Sequence, residues 1–252
     1  MKRAFVYNGP HMYFPDVVSL KQFYASLLGR AVHTLIWRRL HVLWPEARGE
    51  VILGLGFAMP YFAEADQNVS VIAMPAAQGA LYWPVHRSNR VVLSDETSLP
   101  FADGVFNRIV VVHALEHSNH AREFLQEMLR VLTPGGRVIV VVPSRMGLWS
   151  RGSKNPFGHG RPFNLTQIRE VLSEAGFTFL RAHSSLFIPP VQWRWVIRLA
   201  PAIEMLGQIF FPLLGGVLLV EAEKQVYAAV REPVRARSAA PVPAYSAAPI
   251  TS

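Results

Sequence analysis

The chain of 252 residues contains no cysteine. That removes disulfide scaffolds, thiolate zinc sites, iron–sulfur clusters and cysteine nucleophiles together. A long hydrophobic run is also missing. The longest uncharged apolar stretch, Met205 to Val220, is 16 residues and is interrupted by Gln208, Pro212 and Gly215-Gly216. A membrane-spanning helix needs about 20 apolar residues, so none is expected. At the start, Met1-Lys2-Arg3 is followed only by Ala4-Phe5-Val6-Tyr7 before polar Asn8-Gly9-Pro10, too short an apolar run for a secretory signal. Acidic residues are scarce in one telling place: none occurs between Asp66 and Asp95. What is present is apolar, with 51% hydrophobic against 17% charged residues, enough to bury one sizeable core and too much for a disordered chain.

The net charge of +8 suggests a polyanionic partner, but its distribution argues otherwise. Residues 1–45 carry six basic and one acidic side chain, residues 46–183 thirteen and twelve, and residues 184–252 six and four. The basicity therefore belongs to an appended N-terminal segment. A nearly neutral middle lacks the basic stripe that surrounds a nucleic-acid cleft, so nucleic acid is disfavoured as a partner.

Ser19-x-x-Gln22 has capping-box spacing, and Leu20, Tyr24, Leu27, Leu28, Ala31 and Leu35 follow one helical face until Pro45. This predicts one basic amphipathic helix. From residue 50 onward, short β-branched runs alternate with helical segments, the pattern of a parallel sheet built from βαβ units. Strands are expected near Val51–Leu55, Val69–Ala73, Val91–Ser94, Arg108–Val112, Arg137–Val142, Phe177–Ala182 and Val217–Val230. Helices are expected at about Met59–Ala65, Ala76–Tyr82, His120–Leu132 and Leu165–Ala175, with a helical insert over residues 191–211. Arg231–Ser252, rich in Pro, Ala and Ser, reads as a disordered tail.

The first predicted strand runs into Gly54-Leu55-Gly56-Phe57-Ala58-Met59-Pro60. Small residues at such a strand-to-helix turn let backbone N–H groups approach a ligand at the carboxyl ends of the strands. Further along come Asp95, Leu99-Pro100-Phe101, Leu115-Glu116-His117 and Arg130-Val131-Leu132-Thr133-Pro134-Gly135-Gly136, then Gly158-His159-Gly160-Arg161-Pro162-Phe163 and Glu174-Ala175-Gly176-Phe177. In this order and spacing the segment from about residue 50 to 180 resembles the class I S-adenosylmethionine-dependent methyltransferases of the type 11-like group. The resemblance implies a Rossmann-like, seven-stranded, mostly parallel α/β sheet with helices on both faces. It also implies a cofactor site, S-adenosylmethionine lying against Gly54, Gly56, Ala58, Ala73, Met74, Asp95, Glu96 and His113.

The sequence departs from that group at several of these positions. Gly54 stands where an acid is expected, Ala58 and Pro60 replace the second and third motif glycines, and Ala73 or Met74 replaces the ribose-binding carboxylate. Losing a charge-assisted pair of hydrogen bonds costs about 1–3 kcal/mol. Asp95 has a local alternative role, because an acid before a Leu-Pro turn caps that turn. His117 and His159 are the candidate catalytic residues for positioning substrate or accepting a proton; the bland alternative is that they hold turns. His113-Ala114-Leu115-Glu116-His117 also spells H-x-x-E-H, the zinc motif of inverted metalloproteases. That chemistry needs both histidines on one helical face, whereas Arg108–Val112 reads as a strand that would leave His113 at its end and His117 beyond a turn. No metal is expected.

These readings give an N-terminal extension over residues 1–45, a methyltransferase-like α/β domain over residues 46–230 with its helical insert, and a tail over residues 231–252. The expected activity is methyl transfer from S-adenosylmethionine to a small or hydrophobic acceptor in the cytoplasm. The alternative is an inactive methyltransferase-fold protein acting as a binding or assembly module. Trp37, Arg38, Arg39 and Trp44, with Trp193, Arg194, Trp195 and Arg198, raise a peripheral membrane contact through residues 19–44 and 193–220.

Overall fold

The computed structural model describes residues 15–45, 49–62, 69–152 and 155–225. The expected tail lies outside these residues, as does Lys154 in the loop that follows the fifth strand. Seven strands form one sheet: β1 (Ile52–Gly56), β2 (Val69–Pro75), β3 (Val91–Ser94), β4 (Phe106–Val112), β5 (Leu132–Pro143), β6 (Phe177–Ser185) and β7 (Val217–Lys224). Their order is β3-β2-β1-β4-β5-β7-β6, and β7 alone runs antiparallel to its neighbours. The β-branched runs Ile109–Val112 and Val138–Val142 are buried throughout, as central parallel strands covered on both faces must be.

Six helices cover the sheet. On one face α1 (Val17–Ala25), α2 (Leu27–Leu43), α5 (Arg194–Arg198) and α6 (Ala200–Phe210) pack on Val110, Val112, Ile139, Val141 and Leu219. On the other face α3 (Ala121–Val131) and α4 (Leu165–Ala175) pack on Ile109, Val111, Val138 and Val140. Strand alternation sends successive side chains to opposite cores, so one sheet serves both layers.

Three local expectations are corrected. The single N-terminal helix is two, because Ser26 adopts extended backbone and its hydroxyl accepts from Gly29 N–H as the cap of α2, while Asp16, not Ser19, caps α1. Gly29 permits the fold-back: a Cβ there would lie 1.9 Å from Phe23 O. The helix expected over Ala76–Tyr82 is absent; turns replace it, since Pro75, Gly79 and Pro84 outweigh the propensity of Ala76 and Ala77. The helix expected from Met59 is a short 3-10 turn, Met59–Tyr61, within the described residues.

Arg130 shows what the Leu99-Pro100-Phe101 and Arg130–Gly136 motifs do physically. Its guanidinium donates to the carbonyls of Leu99 and Phe101, to Asp103 and to both oxygens of Glu127, whose carboxylate also accepts from Leu99 N–H. The Leu99-Pro100-Phe101 turn is thereby stapled to α3. Arg130→Ala is expected to destabilise the fold by about 2 kcal/mol, since it strands two part-buried carbonyls and the Glu127 carboxylate. A fall of roughly 5 °C in Tm by calorimetry would register it, and an unchanged Tm would contradict the staple.

Candidate functional site

In an open α/β sheet, ligands bind beyond the carboxyl ends of the strands where the strand order reverses, here between β1 and β4. β1 ends in Gly56, whose φ of +70° favours glycine, and a Cβ there would lie 2.3 Å from Val112 O. The turn is pressed against the end of β4, with Phe57 N–H donating to Val112 O. Beyond Val112 the chain enters His113, at a φ of +52° that an L residue adopts only under constraint.

The constraint is visible. The imidazole Nε2 of His113 lies 2.9 Å from Tyr24 Oη, and that phenol lies 2.8 Å from Tyr61 Oη. Gln78 Nε2 donates to the carbonyl of His113 at 2.9 Å, and the carbonyl of Gln78 accepts from Val17 N–H. Because β1 lies between β2 and β4, the Gln78–His113 bond passes over the end of β1. Tyr24 stacks on Phe57 beside it at 5.5 Å between ring centroids. α1, Gln78 and Phe57 therefore roof the switch point with this chain's own side chains.

Beneath that roof sits a polar cluster. His113 Nδ1 is 3.4 Å from Glu116 Oε1, and His117 Nε2 is 3.9 Å from the same oxygen, with all three side chains buried. Burial opposes ionisation of Glu116, but the imidazoles of His113 and His117 set against it outweigh that and hold the carboxyl below its usual range. Burial pushes His117 down to about 4, so it is neutral at pH 7. Burial also raises both Tyr24 and Tyr61, which stay protonated. As expected, His113 follows the end of β4 and His117 lies in a turn beyond it. They share no helical face, yet a short 3-10 turn over Leu115–His117 brings one ligand atom from each of His113, Glu116 and His117 within 4.8 Å of one another. This is the group among the described residues that could hold a metal ion.

His159 approaches from the loop after β5. Gly160, at φ +83°, lets that loop touch His117, since a Cβ would lie 2.8 Å from its Nδ1, and Arg161 N–H donates to Glu116 O. The structure thus unites His113, His117 and His159. Of the other predicted cofactor residues it brings Gly56 and Glu96 to the same end of the sheet. Ala73 packs into the α3–α4 core and Met74 into the α1–α2 core, while Gly54 and Ala58 are buried where β1 meets its turn. Asp95 is exposed and its carboxylate accepts from the N–H and hydroxyl of Thr97, the local turn cap. Glu96 is half-buried, with one oxygen accepting from Ser118 Oγ, and burial raises its carboxyl.

Sequence reasoning missed Tyr24 and Gln78. Tyr24 was visible only as one apolar position of a helix, and Gln78 lay in a segment expected to be helical.

Three side chains around His113–Ser118 carry buried acceptor atoms without a hydrogen-bond partner among the described residues: Gln78 Oε1, Glu96 Oε2 and both oxygens of Glu116. Native structures pair such atoms, so this set is built for a ligand that donates. S-adenosylmethionine fits that chemistry: it brings an adenine amine, two ribose hydroxyls, an ammonium and a cationic sulfonium. Glu96 and Glu116 supply negative charge, and Gln78, following β2, supplies a neutral acceptor where Met74 offers none.

Comparisons with known proteins bear on the domain and its fold. Residues 51–140 match the family model described as a methyltransferase domain. A demethylmenaquinone methyltransferase of Corynebacterium efficiens is 35% identical over 94 residues, 36% of this chain and 41% of that protein. One from Beutenbergia cavernae is 33% identical over 148 residues, 56% of this chain and 61% of that protein. The chain thus spans about two fifths to three fifths of the curated relatives it matches. A solved S-adenosylmethionine-dependent methyltransferase from Thermotoga maritima, described as a possible histamine N-methyltransferase, superposes with a TM-score of 0.60 at 16% identity, covering 83% of this chain and 96% of its own.

The buried neutral His117 sets a pH dependence. Its folded pKa of about 4 lies below the ordinary histidine value of 6.5, so the unfolded chain binds more protons between those values. The stability it contributes is complete above pH 6.5 and is lost as pH falls towards 4, on the order of 3 kcal/mol in all. Glu116, also depressed, acts in the same direction. Denaturant unfolding at pH 7 and pH 4.5 should show this loss, and His117→Gln should reduce it; equal slopes for the two proteins would refute the assignment.

Proposed function

From the premise that this chain carries a class I S-adenosylmethionine-dependent methyltransferase domain, we propose that it transfers a methyl group to a small hydrophobic acceptor held beside the His113–Glu116–His117 cluster. The observation that carries the proposal is the set of unpartnered buried acceptors at Gln78, Glu96 and Glu116 around the left-handed Gly56 turn. When bound, the cofactor supplies an electrophilic methyl on a positively charged sulfur. The chain's own part is mainly alignment and exclusion of water, because a sulfonium needs little further activation. Tyr24, Tyr61 and Phe57 form an apolar wall against which charge interactions strengthen. Glu116 presents a buried negative charge towards a cationic ligand.

His117 is too weak a base at a pKa of about 4 to carry a proton away at neutral pH; it orients Glu116. His159, half-buried near it, would pass an acceptor's proton to solvent in this reading. Methyl transfer of this kind calls for no metal at the cluster. The demethylmenaquinone for which the relatives are named supports a hydrophobic acceptor.

One observation favours the second reading, a methyltransferase-fold binding module without catalysis: Gln78, Tyr24 and Phe57 roof the end of β1, so cofactor entry requires the Gln78–His113 bond to yield. A single titration separates the two. Calorimetry with S-adenosylmethionine and S-adenosylhomocysteine should show saturable binding, weakened about tenfold by Glu96→Gln, the equivalent of ~1.4 kcal/mol. Absence of binding at millimolar cofactor, with the protein folded, would establish the binding-module reading instead.

A further inference from the structure

The segment from Leu199 to Val220 contains one charged residue, Glu204, and that residue is buried. Its carboxylate is consumed internally: Oε1 accepts from Ser185 Oγ and Leu186 N–H, and Oε2 from Phe187 N–H. The outer face of α6 and the turn after it therefore present only uncharged side chains. Most are large and apolar and stand more than half exposed, among them Met205, Ile209, Phe210, Phe211 and Leu213, the last at 68%. A soluble protein rarely exposes so contiguous an apolar patch without a partner for it.

The margin of this face is of a different character. Trp193 and Trp195, stacked at 5.7 Å between centroids, are each about 60% exposed and alternate with exposed Arg194. Arg198 follows one turn on. α2 packs against α5 and α6, and its Arg30 and Arg38 line a cleft with Ile197, Ala200 and Pro201. Arg39 and Arg151 line two apolar cavities beside α6, and no acidic residue lines any of the three. The two basic, aromatic stretches separated by some 150 residues in sequence thus form one surface. One of the cavities, of about 500 Å³, lies between α6 and the loop after β5 and is walled by Met146, Leu148, Phe187, Leu206, Phe211 and Leu214.

We propose that α5, α6 and the turn after them dock this protein on an anionic lipid bilayer, with the α6 face in the acyl region, Trp193 and Trp195 at the interface and the arginines on lipid phosphates. An uncharged apolar face ringed by tryptophan and arginine matches the layering of a membrane surface: hydrocarbon, then an amphipathic boundary, then negative charge. A second copy of the chain would bring the same arginines against themselves, a like-charge rim that disfavours self-association. The cavity beside α6 opens on this face and takes the aliphatic part of a bilayer-borne molecule. The inference deepens the hydrophobic-acceptor reading, but docking requires neither cofactor nor catalysis, so each can fail alone.

The test is co-sedimentation of the full chain with vesicles of pure phosphatidylcholine and of phosphatidylcholine with phosphatidylglycerol, combined with quenching of tryptophan fluorescence by brominated lipid. Binding should favour the anionic vesicles and weaken with salt. Arg194→Gln with Arg198→Gln should cost about fivefold per arginine on anionic vesicles alone. Ile209→Glu with Phe210→Glu should abolish binding to both while cofactor affinity is unchanged. The proposal is overturned if the folded wild type ignores both vesicles, or if it binds equally to both at any salt. A concentration-dependent dimer in light scattering that the Ile209→Glu, Phe210→Glu protein cannot form would also overturn it, assigning the face to a second copy.

Discussion

A single buried carboxylate organises the ligand end of this sheet. Glu116 is 1% exposed and neither of its oxygens receives a hydrogen bond among the described residues. Taking such a group out of water costs several kcal/mol unless opposite charge or donors answer it. Two imidazoles are held against it, and holding them dictates much else. His113 accepts a left-handed backbone conformation, Tyr24 and Gln78 grip that residue from above, and Gly160 surrenders a side chain so that the loop after β5 can close on His117. Motifs far apart in the chain, Leu115-Glu116-His117 and Gly158-His159-Gly160-Arg161, are therefore parts of one packing problem.

The same requirement explains the break in the N-terminal helix. A continuous helix over residues 17–43 would run along the sheet face and leave the strand ends open. The cap at Ser26 and the absence of a side chain at Gly29 let α1 turn over the end of β1 while α2 remains in the core. Tyr24, on α1, then reaches His113. At its far end α2 is fixed as well, with Trp44 Nε1 donating to Glu221 and the Leu43 carbonyl accepting from Arg181. The basic residues of α2 consequently sit on a rigid element beside α5 and α6.

Much of this was legible in the chain. Strand β3 and helix α4 fall where their residues predicted, and β1, β2, β4 and β5 differ only at their ends, because β-branched runs in a parallel sheet are written as unbroken hydrophobic blocks. Errors arose where one residue's local chemistry overrode a periodic pattern: Ser26 within an otherwise continuous helical face, and Pro75, Gly79 and Pro84 around Ala76-Ala77. The site was half legible. His113, Glu116 and His117 could be named, but their convergence depends on a left-handed residue and a 3-10 turn, features that carry no periodicity. Asp95 illustrates the converse, a residue at a position of functional promise whose carboxylate is occupied by its own turn.

Burial alone does not mark Glu116 as functional, since Glu204 and Glu221 are buried as deeply. The difference lies in their partners. Glu204 receives a hydroxyl and two backbone N–H groups, and Glu221 receives the indole of Trp44 and the guanidinium of Arg181. Both are closed accounts of structure, tying α6 to the end of β6 and α2 to the sheet. Glu116 sits in the same fold with its oxygens unanswered by any donor hydrogen bond, beside two further orphan acceptors in Gln78 and Glu96. A chain that satisfies two buried carboxylates so fully has the means to satisfy a third. That it surrounds the third only with imidazoles, at the one place where an α/β sheet binds ligands, is the physical argument for a donor-rich, cationic molecule completing the site.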